Sequence, residues 1–181
     1  MLTATPGRAG ALDGVQLPDT VAVGGTTLHL NGVGLRTFSI LGLHIYVAAL
    51  YLEHPSTNAP AILASPESKL LRVSFVHSVS AAQARDSWRE GLANNCLAPC
   101  ALNPAVVETF LAHVPAMQAG DDFSLLFTSH GVTVNLSGRQ LGVVSDTEFA
   151  KAMLATFLGP RPGAPDVKRQ LLAGRAVTTP Q

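Results

Sequence analysis

The sequence predicts a single α+β domain: a large, mostly antiparallel sheet backed by a layer of helices. Three observations lead there. Strand-like runs fall in two blocks, joined mainly by breaks of hairpin length. Stretches of helical periodicity follow each block, so helices can gather on one face of the sheet. The chain has 181 residues, 47% of them hydrophobic and 13% charged, which suits one domain with a core large enough to need no metal or disulfide framework. The domain is read as 14–174, with 1–13 and 175–181 as flexible ends.

The elements follow in order. Thr20–Val23 and Thr26–Leu30 flank Gly24-Gly25 and make a hairpin. Asn31-Gly32-Val33-Gly34 reads as a break. Leu35–Ile40 and Leu43–Leu52, parted by Leu41-Gly42, read as longer strands; the second is apolar in both alternating sets and is expected to be covered on both faces. A short helix to Ala64 can be capped by Ser56, Thr57 or Asn58. Lys69–His77 is a strand. Ser80 caps a helix to about Asn94, whose stripe is Ala84, Trp88 and Leu92. Pro104–His113 is a helix with Pro in its first turn. Phe123–Thr128, Val132–Leu136 and Gln140–Val144 read as a meander. A helix from Thr147 to Leu158, capped by Asp146 or Ser145, and a short one over Asp166–Leu172 close the chain.

Composition narrows the function. Twelve basic and twelve acidic residues cancel, so no strong field steers nucleic acid or an anionic membrane to the protein. No apolar run has the ~18 residues of a membrane helix. The partner expected is a small molecule or another protein. The six histidines are scattered without metal-ligand spacing, no Gly-x-Ser-x-Gly elbow occurs, and Gly32-Val33-Gly34 lacks the rest of a dinucleotide loop. No metal or cofactor is expected. The two cysteines, Cys96 and Cys100, flank Pro99; a turn there lets them form a disulfide, the alternative being two free thiols near a helix end. Met1–Leu12 lacks the apolar core of a signal peptide, which leaves a cytoplasmic protein or one whose leader has been removed.

Val15-Gln16-Leu17-Pro18-Asp19-Thr20-Val21, Leu30-Asn31-Gly32-Val33-Gly34-Leu35-Arg36-Thr37 and Ile45-Tyr46-Val47-Ala48-Ala49-Leu50-Tyr51-Leu52 together resemble the bacterial chalcone-isomerase-like domain. Trp88-Arg89-Glu90-Gly91, Asn94-Asn95-Cys96, Phe149-Ala150 and Phe157-Leu158-Gly159 extend the resemblance from Gly14 to Gly174. It implies an open-faced β-sandwich. Plant members of that family close a chalcone into a flavanone, and others bind fatty acids without known catalysis. Bacterial members usually carry an export signal, which makes the protein periplasmic or secreted by this reading.

The resemblance also assigns residues. Arg36 matches an arginine that stabilises an anionic oxygen in the plant enzymes and holds the carboxylate in the fatty-acid binders, and Tyr46 is placed as its companion. Without the resemblance, Arg36 reads as a strand-end residue reaching water and Tyr46 as a core aromatic. Phe38, Leu43 and Trp88 would line the apolar part; Trp88 is equally a core anchor between helix and sheet. His44, two residues before Tyr46, is expected on the same face, either as a pocket acid or base or as a satisfied strand residue. The chain departs from the plant enzymes where their helix carries a Tyr and an Asn: here Ala84 and Gly91 stand, and neither donates a side-chain hydrogen bond. Chalcone cyclisation is therefore not expected, and Ala84 leaves extra space. Three functions follow: a non-catalytic binder of a fatty acid or similar amphipathic carboxylate; an isomerase or lyase on a phenolic or enone substrate with Arg36 as electrophilic stabiliser; or an envelope interaction domain without a small ligand.

Overall fold

The computed structural model describes residues 10–38 and 41–174. The ends read as flexible from the sequence, and Ser39 and Ile40 of the predicted strand, lie in whole or large part outside the described residues. The strands are β1 (Gly10–Leu12), β2 (Val15–Leu17), β3 (Thr20–Val23), β4 (Thr26–Phe38), β5 (Leu43–Leu52), β6 (Lys69–Phe75), β7 (Asp122–Thr128), β8 (Gly131–Leu136) and β9 (Arg139–Val144). The helices are α1 (Ala59–Ala64), α2 (Ala81–Asn95), α3 (Pro104–His113), α4 (Thr147–Leu158) and α5 (Pro165–Leu172). Strands β3 to β9 form one seven-stranded sheet in sequence order, and every neighbouring pair is antiparallel. This is the α+β layered architecture that the two blocks of strands and helices predict.

The sheet separates two cores. On one face Ala48, Leu50 and Leu52 of β5 pack with residues of all five helices. On the other, Val47, Ala49 and Tyr51 pack with Leu17, Leu28 and Leu30, under the small β1–β2 ribbon. Alternation on a strand sends successive side chains to opposite faces, so the doubly apolar sequence of β5 has a cover for each set. The helix starts follow from their caps. Ser80 Oγ accepts from Gln83 N while Ser80 N donates to Gln83 Oε1, a reciprocal capping box. Asn58, Asn103 and Asp146 accept from the first turns of α1, α3 and α4.

Two expectations change. Asn31-Gly32-Val33-Gly34 does not break the chain; β4 runs through it for 13 residues. A register shift at Asn31 makes it a bulge, and its side chain bonds Leu171 O and Ser56 O, each at 2.9 Å. The glycines mark a close approach instead of a turn: a Cβ on Gly32 would lie 2.2 Å from Leu171 O, and one on Gly34 would lie 3.0 Å from Val167 O. α5 therefore rests directly on the β4 backbone. Second, β1 begins at Gly10 and pairs with β2, so ordered structure starts earlier than the expected boundary at Gly14.

Candidate functional site

Arg36 and Tyr46 are directly opposite each other on β4 and β5. Directly opposed residues share a face, with Cβ atoms roughly 5 Å apart. Tyr46 packs against the helix-side core, edge-on to Phe75 with ring centroids 5.8 Å apart. Arg36 therefore looks to the helix side, next in line after Gly32 and Gly34. It is half-buried. Among the described residues the ion pairs use other side chains, and no carboxylate pairs with Arg36.

Burial pushes the Tyr46 phenol up to about 12, against the opposing pull of the Arg36 guanidinium. At neutral pH the pair is thus a cation beside a neutral phenol. Both offer protons: the guanidinium only donates, and the phenol can. Such a pair complements a carboxylate or another oxyanion, through charge-assisted hydrogen bonds. Beyond it lies an apolar lip. Phe38 and Leu43 oppose each other on the same two strands and are 59% and 40% exposed, with Leu41 at the turn 92% exposed.

The other residues singled out in the sequence are dispersed. His44 does not share the face of Tyr46. The register passes from Arg36–Tyr46 to Thr37–His44, so Ile45 is an extra residue on β5, and a bulge of this kind turns the side chains beyond it over. His44 instead meets Asp13, Nδ1 to Oδ2 at 3.1 Å, under the β1–β2 ribbon. Trp88 is a core anchor. Its ring packs on Phe110, Phe123 and Phe157 at centroid distances of 5.5, 6.2 and 6.0 Å. Ala84 is buried in the same core. Gly91 lies where α2 meets α4: a Cβ there would stand 2.9 Å from Thr156 Cγ2. Cys96 and Cys100 are bridged, with Cα atoms 5.2 Å apart. Among the described residues no group of three His, Cys, Asp or Glu gathers as a metal site.

Sequence reasoning passed over three features. On the outer face, Arg72 donates to Asp122 Oδ2 from Nε, at 3.1 Å, and also from Nη2. This pair lies near the fully buried Tyr51, whose phenol is pushed up by burial against the pull of Arg72. A charged residue inside the apolar run Leu70–Val73 was the signal available for it. An open cleft of about 620 Å³ runs beside Asn31, Ser56 and His29. A second, of about 600 Å³, lies between α3 and the β8–β9 hairpin. Neither includes Arg36 or Tyr46, and both depend on tertiary placement that no local pattern announces.

Comparison with known proteins adds two findings. The model of a family described as chalcone isomerase-like matches residues 9–173. Among solved structures, a fatty-acid binding protein of Arabidopsis thaliana is similar with a TM-score of 0.71 and 16% identity, over 88% of this chain and 92% of that one. At that identity the likeness is one of fold. No curated protein matches the chain by sequence.

Proposed function

This chain belongs to the chalcone isomerase-like family, and we propose that it binds a fatty acid or a similar amphipathic carboxylate without performing chemistry on it. One observation carries the reading: Arg36, half-buried and without a carboxylate partner among the described residues, stands opposite a Tyr46 that burial keeps protonated. The carboxylate would accept from both groups, and the alkyl chain would leave over Phe38 and Leu43. A solved structure of the same fold is that of a fatty-acid binding protein, which supports the reading.

Absence of chemistry is supported from the other side of the helix-facing core. Where the plant isomerases place two polar groups on the helix, Ala84 is buried in apolar surroundings and Gly91 is closed off by Thr156. The bridge between Cys96 and Cys100 supports a periplasmic or secreted location, since disulfides persist in oxidising compartments.

The test is native mass spectrometry of the purified protein, followed by a palmitate binding isotherm for the parent and for Arg36→Ala. Losing hydrogen bonds to a charged group costs about 1.5–3 kcal/mol, so binding should weaken by roughly 10- to 150-fold. An isotherm unchanged by Arg36→Ala refutes the assigned head-group site. Turnover of a chalcone by the parent protein refutes the non-catalytic reading.

A further inference from the structure

We infer that the cleft between α3 and the β8–β9 hairpin is a second ligand site, for a neutral apolar molecule that carries a hydroxyl group. It is independent of the Arg36–Tyr46 pair, none of whose residues line it. Its volume of about 600 Å³ falls within the range of small-molecule sites, ~300–1,000 Å³. The walls are apolar: Val106 and Phe110 come from α3, and Val134, Leu141 and Val144 from the hairpin. Phe123 of β7 also lines it.

The polar groups decide which molecule fits. The lining contains no Arg or Lys, and its one carboxylate is Asp146. Asp146 also occupies the N-terminus of α4, where Oδ1 accepts from Phe149 N at 2.9 Å, so that helix end is not offered to an anion. His113 Nδ1 lies 2.7 Å from Thr109 O. A carbonyl only accepts, so Nδ1 carries the proton, and a neutral imidazole so held keeps its lone pair on Nε2. Thr109 Oγ1 already donates to Ala105 O, so the cleft's side chains offer mainly acceptors, Ser145 being able to donate as well, where the Arg36–Tyr46 pair presents donors. An alcohol can donate to these acceptors and accept from Ser145; a carboxylate cannot donate, and is repelled by Asp146.

Two features make the inference testable. Trp88, the only tryptophan, contacts Phe110 and Phe123, which line the cleft, so its fluorescence reports occupancy. Gly142 lines the cleft as well, and a Cβ there would meet nothing within 4 Å, so a large side chain can plug the space without displacing the fold. The experiment titrates 1-decanol and decanoate into the parent protein, Gly142→Phe, His113→Ala and Arg36→Ala, following Trp88 emission. The expected result is saturable binding of decanol to the parent and to Arg36→Ala, at least tenfold weaker in Gly142→Phe and severalfold weaker in His113→Ala. Undecane, without the hydroxyl, should bind His113→Ala and the parent alike. His113 is exposed, so that variant keeps the test valid if Gly142→Phe fails to fold. The inference is overturned if decanol leaves Trp88 emission unchanged, if it binds both cleft variants as it binds the parent, or if decanoate binds Arg36→Ala as tightly as decanol does. Loss of decanoate binding in Arg36→Ala alone bears on the proposed fatty-acid site and not on this one.

Discussion

Replacing Gly32 by Ala tests the contact that sets α5 on the sheet. The added methyl would lie 2.2 Å from Leu171 O, 2.6 Å from Leu171 C and 2.7 Å from Gln170 O. All three are backbone atoms of one helix turn, so no side chain can swing away. In a close-packed interior the helix must lift by roughly 1 Å. Val167 and Leu171 are 1% and 0% exposed, and burying each stabilises by about 1.5–3 kcal/mol. A gap of up to ~1 Å forfeits a quarter to a half of the contact energy of the atoms lining it. The bonds from Asn31 Nδ2 to Leu171 O, at 2.9 Å, and from Leu35 N to Gln170 Oε1, at 3.0 Å, would stretch as well, at about 1 kcal/mol each. The expected loss is about 3 kcal/mol from the combined packing and hydrogen-bond terms. For a chain of this size that lowers Tm by roughly 6–12 °C. Urea and thermal unfolding measure it, with Gly142→Ala as the control, because a Cβ at Gly142 meets nothing within 4 Å. If Gly32→Ala stays within about 0.5 kcal/mol of the parent, an ordinary surface value, the account of these glycines as a seat for α5 is wrong.

Two further outcomes are expected. Tyr46 has a folded pKa of about 12 against 10.0 for the free phenol, and burial raises that of Tyr51 too. A raised folded value favours the protonated form, so its contribution to stability is complete below pH 10 and is lost as pH climbs from 10 to about 12. Urea midpoints across that window should fall less steeply for Tyr46→Phe than for the parent; parallel profiles would show that Tyr46 is not buried as described. The Cys96–Cys100 bridge closes a short loop, with a sequence separation of 4, for which loop-closure entropy gives roughly 2 kcal/mol. Cys100→Ser should lower stability by about that amount, and a reductant should shift the parent's midpoint while leaving the variant's in place.

The sheet was legible because β-forming runs and their hairpin breaks repeat at short range, and the helices because Ser80, Pro104 and Asp146 carry their own start signals. The Asn31–Gly34 segment misled because glycine has two uses. It permits a turn, and it permits another backbone to come within contact distance; only the placement of Leu171, 139 residues after Gly32 in the numbering, separates the two. His44 misled for a similar reason. Counting by twos from Tyr46 assumes an unbroken pleat, and one extra residue at Ile45 reverses the result. The Arg36–Tyr46 pairing was reached through family resemblance; spacing alone reads equally well as a strand-end cation and a core aromatic. The α3–β9 cleft left no local mark, because its walls are ordinary apolar residues from separate elements.

Two half-buried arginines on neighbouring parts of one sheet show why the proposed function is placed on Arg36. Arg72, on the outer face, sends two donors to one oxygen of Asp122. Its charge is answered inside the protein, and the pair is explained as structure. Arg36 is similarly removed from water on the helix side, yet among the described residues no carboxylate answers it. Taking a cation partly out of water without a counter-charge costs free energy that packing does not return. The positions before it on the same face, Gly32 and Gly34, are closed down to the backbone by α5. Arg36 is next on that face, opposite a Tyr46 whose phenol stays protonated far above neutral pH. Local conflicts of this kind concentrate at functional sites. Under the proposed function, an oxyanion arriving from the Phe38–Leu43 lip would supply the missing charge and leave the apolar rest of its molecule against that lip, as an amphipathic carboxylate would.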